Sequence, residues 1–239
     1  MRSLALALVL IAAVPAFARD HSGLEMSIVV DGEERPEYVR DGTVYIEALR
    51  GREFSIRLTN STPNRVAVAL AVDGLNTIDA KHTDPWSASK WLIEPYGSVD
   101  IAGWQISGST ARSFYFTGEK DSYGAKLGRT RNLGVIEAVV YRERVEPVYR
   151  YREESASRDR AAKPDDDYAA TGMGRHQAHP VEMVDIDLDP TPFASFRTRY
   201  EFRAQLVRMG ILPRYERDER PLDRRERARG FGSWCPEPD

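Results

Sequence analysis

From Leu24 onward, apolar and polar side chains alternate along the chain with a period of two. Leu24, Met26, Ile28 and Val30 alternate with polar or smaller residues, and in FSIRL the apolar Phe54, Ile56 and Leu58 flank Ser55 and Arg57. Because successive strand side chains point to opposite faces, this pattern predicts strands buried on one side. In RVAVALAV, Val66, Val68, Leu70 and Val72 share one face and Ala67, Ala69 and Ala71 the other, which predicts a central strand covered on both faces. SVDI, RSFYF and GVIEAVVY continue the series, separated by breaks such as DGEERP, NSTPN and GRTRN. With no helical period before residue 150, the expected fold is mainly β: an antiparallel β-sandwich over residues 19–151.

The pattern lapses over residues 152–174, which are nearly devoid of large aliphatic side chains and are read as a linker or mobile loop. It resumes over 175–213. VDIDLD alternates again, FASFRTRYEF sets Phe196, Tyr200 and Phe202 on one face, and RAQLVRMGILP reads as a short helix with Gly210 at its end and Pro213 beyond it. This strand-strand-helix segment is expected to pack on the sandwich as a C-terminal extension. Residues 214–239 are dense in charge, with seven arginines and five acids between Arg214 and Arg229, and are read as a solvated tail, an arginine-led interaction arm being the alternative.

The first residues change the expected compartment. Arg2 precedes the apolar run Leu4–Val14, and Ala16-Phe17-Ala18 has the small-x-small form read by signal peptidase, so residues 1–18 are expected to be a signal peptide. As a helix, the run rises only about 16 Å against a hydrocarbon core of about 30 Å, which predicts a periplasmic or secreted protein with no transmembrane segment after cleavage. Cys235 is the one cysteine, so no internal disulfide can form; it is read as an exposed thiol in the tail or one half of an intermolecular bridge. The net charge of −3 offers no basic footprint for nucleic acid.

Several residues form a recognisable order: Gly74-Leu75-Asn76, Pro95, Gly103-Trp104, Phe114 and Phe116, Asp121-Ser122-Tyr123, Gly128, Gly134-Val135-Ile136, Arg142-Glu143 and Thr171-Gly172. In this order the chain resembles a family of uncharacterised secreted bacterial proteins, over residues 40–145 and more loosely over 170–212. The resemblance implies export and a β-rich core, and carries no activity.

Candidate chemistry lies in two clusters. GLNTIDAKHTDPWSASKW holds Asp79, His82, Asp84, Trp86 and Trp91. Trp86 and Trp91, with Trp104 and His82, are candidate contacts for a ligand or partner, since an aromatic offers a large contact area at low entropic cost; anchoring of the loop on the sheet edge is the competing reading. His176 and His179 with Glu182 are the candidate metal ligands, zinc or copper, against a reading as surface histidines in a loop. TGMGR reads as a turn. Asp121-Ser122-Tyr123 reads as a structural turn in which Tyr123 returns to the core.

No nucleophile elbow, zinc-protease helix, phosphate loop or dinucleotide fingerprint is present. No catalytic residue or cofactor is therefore assigned. The leading expectation is a non-catalytic exported sandwich that binds or scaffolds an envelope protein or polymer. A periplasmic metal- or small-ligand-binding protein and a carboxylate-dependent hydrolase of envelope polymers stay open.

Overall fold

The structure is a computed structural model and describes residues 23–144 and 167–214. The expected signal peptide, most of the linker, Cys235 and the charged tail after Arg214 lie outside the described residues. The strands are β1 (Leu24–Val30), β2 (Glu33–Glu34), β3 (Glu37–Arg40), β4 (Thr43–Ala48), β5 (Glu53–Asn60), β6 (Val66–Val72), β7 (Leu75–Asn76), β8 (Trp91–Ile93), β9 (Ser98–Ile101), β10 (Gly103–Gln105) and β11 (Thr110–Gly118). A single 3-10 turn (Glu119–Asp121) and the one-turn helix α1 (Tyr123–Lys126) follow, then β12 (Val135–Arg142), β13 (Ala169–Ala178), β14 (Ala194–Phe202) and helix α2 (Arg203–Arg208).

Two sheets pack face to face as a β-sandwich. The first runs β10-β11-β5-β1-β2, with β13 on β11 and β9 on β5; the second runs β3-β4-β14-β12-β6-β7, with β8 on β6. Among the described residues every strand pairing is antiparallel except β4 with β14. The extension after residue 168 is thus built into both layers, β13 in the first sheet and β14 in the second. Between β3 and β4, Asp41 and Gly42 both take positive φ, the geometry of a two-residue hairpin turn that keeps the strands' twist, and the register Arg40↔Thr43 follows from it.

The alternation in the sequence is the alternation of burial. Ile56, Leu58 and Ile28 from the first sheet meet Val68, Leu70, Ile136 and Tyr200 from the second in one core. Fully burying each such side chain contributes about 1.5–3 kcal/mol. Phe54 stacks on Phe116 at 4.2 Å and reaches Tyr200 of the opposite sheet at 6.3 Å, so aromatic contact bridges the layers. On β6 the outward Ala67 and Ala69 are buried as well, as expected of a strand covered on both faces.

Four local expectations change. Val184–Asp189 forms no strand: its one ladder contact is the bridge Glu143↔Leu188, since alternation creates a strand only where a neighbour is available to pair. The segment expected as linker up to residue 174 is already strand from Ala169. TGMGR lies within β13 rather than in a turn. A helix does occur before residue 150, the single turn α1, started by Ser122, whose Oγ accepts from the Ala125 N–H at 3.0 Å. Tyr123 then packs against Trp104 at 4.9 Å, the return to the core expected of Asp121-Ser122-Tyr123.

Candidate functional site

The loop between β7 and β8 is closed at its base by side chains. Asn76 Nδ2 donates to Ser89 O at 2.8 Å, and its Oδ1 accepts from Ile78 N at 2.8 Å. Trp91 Nε1 donates to Thr77 Oγ1 at 2.9 Å. Asp84 Oδ1 accepts from the N–H groups of Trp86 and Ser87, both at 3.0 Å, and these bonds hold its carboxyl below the ordinary range. Trp86 is thereby set edge-on to Tyr141, 5.3 Å between ring centres, with 44% of its surface open to solvent. Tyr141 lies opposite Ala67 on β6, so the loop covers the outer face of the second sheet. The Lys90 ammonium sits 5.5 Å from the Trp86 ring and 5.2 Å from the Tyr141 ring and donates to Ala88 O and Trp86 O. Burial lowers its pKa, against the opposing charge of Asp84.

The donors of this loop serve the loop. Asp79 Oδ1 accepts from Lys81 N at 3.0 Å and Oδ2 from Ser89 Oγ at 3.2 Å, while His82 Nδ1 lies 2.7 Å from Gly74 O. Of the candidate tryptophans, Trp91 (8% exposed) and Trp104 (2%) are core residues. Trp104 packs edge-on against Phe114 at 5.1 Å. Trp86 alone of the three presents its ring to solvent.

The histidine segment meets this loop. His179 lies edge-on to Trp91 at 5.5 Å, and its Nδ1 is 2.9 Å from Gln105 Oε1. His176 takes a different partner: its Nε2 lies 3.3 Å from Arg112 Nη1, a cation. Glu182 is exposed on the segment beyond. The two imidazoles are thus committed to different neighbours, and among the described residues no group of three or more His, Cys, Asp or Glu side chains could hold a metal ion.

The glycines of TGMGR have a steric reason. A Cβ on Gly172 would lie 2.2 Å from Cζ of Tyr115, its cross-strand partner, and one on Gly174 would lie 2.4 Å from Ser113 Oγ. The Tyr115 ring therefore lies across β13 where side chains would otherwise stand. Gly174 and Arg175 oppose the single residue Ser113 in a β-bulge, and Arg175 pairs with Glu53 at 3.0 Å.

A groove of about 280 Å³ is lined by Pro63, Asn64, Arg65, Glu94, Pro95 and Glu143. Its two carboxylates both engage the same guanidinium: Arg65 Nε lies 3.1 Å from Glu94 and Nη1 3.4 Å from Glu143. This arrangement compensates the charge of both acids with one cation.

A third cluster was not anticipated from the sequence. Asp73, 1% exposed, directly follows β6 with φ +53°. Its Oδ1 accepts from Gly134 N at 2.8 Å and from the Tyr200 hydroxyl, and its Oδ2 accepts from Thr171 N at 2.6 Å. The Thr171 and Tyr200 hydroxyls are 2.7 Å apart. One carboxyl thus ties together β6, β13, β14 and the start of β12, spanning both sheets. Burial pushes it up to about 7, against the lowering by Tyr200, Thr171, Gly134 and Val135, and pushes the Tyr200 hydroxyl well above its usual value. Next to it, Glu201 Oε2 accepts from Ala169 N at 3.3 Å and is also raised to about 7, chiefly by burial.

Among the described residues no helix is long and apolar enough to cross a membrane. Comparison with curated proteins and with solved structures finds no match. Residues 23–215 match the model of a domain of unknown function, DUF7918, and the chain belongs to that family.

Proposed function

We propose that this chain is an exported, non-catalytic sandwich protein of the bacterial cell envelope and that it binds another envelope component through the loop carrying Trp86. The carrying observation is the presentation of that indole: 44% exposed, set on Tyr141 and held by the Asp84 and Lys90 contacts. An aromatic fixed before binding gives contact area without the cost of ordering a loop. The leader Leu4–Val14 with Ala16-Phe17-Ala18 supports export.

The test uses purified wild type and Trp86→Ala as paired baits for envelope extract. A component retained by the wild type and lost by the variant, with the variant's unfolding midpoint nearly unchanged, supports the reading. Identical retained sets would overturn the assignment to this loop. Export is checked separately by fractionating cells that express the full chain; uncleaved protein confined to the cytoplasm would contradict it.

A further inference from the structure

The N-terminal half of β13 is held by two carboxyl groups. β13 pairs with β11 on one edge, through Thr117↔Ala170 and Tyr115↔Gly172 among others. On the other edge, N–H groups two residues apart bond to acids of the second sheet: Ala169 N to Glu201 Oε2 at 3.3 Å and Thr171 N to Asp73 Oδ2 at 2.6 Å. The spacing is that of a strand, whose alternate residues direct their N–H groups to the same side. The acids stand where a neighbouring strand's carbonyls would stand.

We propose that Asp73 and Glu201 form a pH-sensitive latch that docks the N-terminal end of β13 on the second sheet and loosens as pH rises. The surroundings of the two groups set the direction. Asp73 is faced by the Tyr200 hydroxyl from β14, by Thr171 from β13 and by Gly134 and Val135 from β12, with no cation among its bonded partners. Glu201 is faced by Ala169, by Glu119 of the 3-10 turn, which disfavours its ionisation, and by Arg199 of its own strand, which favours it. In the β4 register Glu201 lies opposite Glu47, which is occupied by Arg35 and Arg203. Burial outweighs the favourable contacts, so both groups sit near 7 when latched.

An acid exposed by opening returns to about 4. Between about 4 and about 7 the latched form therefore holds protons that the open form releases, and opening becomes easier with rising pH. The opening constant rises up to about tenfold per pH unit for each linked group, and is level above about 7, where both forms are ionised.

Amide hydrogen exchange of the purified protein, corrected for the intrinsic rate, reads this directly. Protection at Ala169 and Thr171 is expected to fall between pH 5 and pH 7 and to level off above, with Glu201→Gln, which keeps an acceptor oxygen, lowering the slope by about one proton. A protection factor flat from pH 5 to pH 7, or a slope unchanged in Glu201→Gln, would overturn the latch. Carboxyl carbon-13 titration of the wild type does not depend on any variant folding. Midpoints near 7 for Asp73 and Glu201 support the latch, and midpoints below 5 overturn it.

Discussion

Tyr200 donates its hydroxyl to Asp73 across 127 residues of chain, and Thr171 of the opposite sheet joins them. Neither group reaches water, and the Thr171 hydroxyl completes the cluster. Tyr200→Phe removes one donor and leaves the rest of the ring in place. The expected cost is about 1–3 kcal/mol in urea unfolding, the penalty of a buried acceptor that loses a bond. Thr171→Val should cost less, because the Thr171 N–H bond to Asp73 is made by the backbone and survives.

The raised carboxyls give the whole protein a pH dependence whose sign is fixed. A carboxyl whose folded pKa lies above its unfolded value contributes stability that is fully present below about 4 and is lost as pH rises toward about 7. The comparison of wild type with Glu201→Gln isolates one group from the other titrations. At pH 4 the two should unfold at similar urea concentrations. At pH 7.5 the variant should be the more stable, because it does not bury a charge. A stability difference independent of pH would count against the raised pKa.

The regular part of the fold was legible because one buried face imposes a period of two. Val66–Val72, Glu53–Asn60 and the Phe196, Tyr200, Phe202 face all lie as the alternation requires. The site was less legible, because its reasons lie on distant strands. An aspartate before glycine at a strand end is an ordinary turn residue until Gly134, Thr171 and Tyr200 converge on it. The glycines of TGMGR look like turn glycines until Tyr115 is seen over them. Conversely, Val184–Asp189 alternates well and yet forms only a bridge, since a period says which face is apolar and nothing about whether a partner strand exists.

The Tyr115 and Gly172 contact is testable by a double-mutant cycle. Gly172→Ala forces a methyl into the space of the Tyr115 ring, and the expected destabilisation is about 1–3 kcal/mol. In a Tyr115→Ala background the same change should cost markedly less. Equal costs in both backgrounds would place the reason for the glycine elsewhere.

The histidines give a prediction about metal. His176 lies beside the Arg112 guanidinium and His179 is engaged by Gln105, so neither is presented with its neighbour as a chelating pair. Treatment of the purified protein with a strong chelator should leave its unfolding midpoint unchanged, and added zinc should not raise it. A zinc-dependent rise abolished by His176→Ala would favour the metal-binding reading.

The tryptophans separate by what their rings touch, and stability should separate them too. Trp104 is 2% exposed, packs against Phe114 and Tyr123, and donates Nε1 to Gly172 O at 3.3 Å. Trp104→Ala therefore opens a cavity beneath β13, with an expected cost of about 3–5 kcal/mol. Trp86→Ala loses the edge contact with Tyr141, the Lys90 ammonium and the area of a ring that is already 44% exposed, and should cost clearly less. Chemical unfolding of the two variants measures the difference. A Trp86→Ala cost as large as that of Trp104→Ala would mean that the loop is a structural lid over the outer face of the second sheet, with its indole serving the fold rather than a partner.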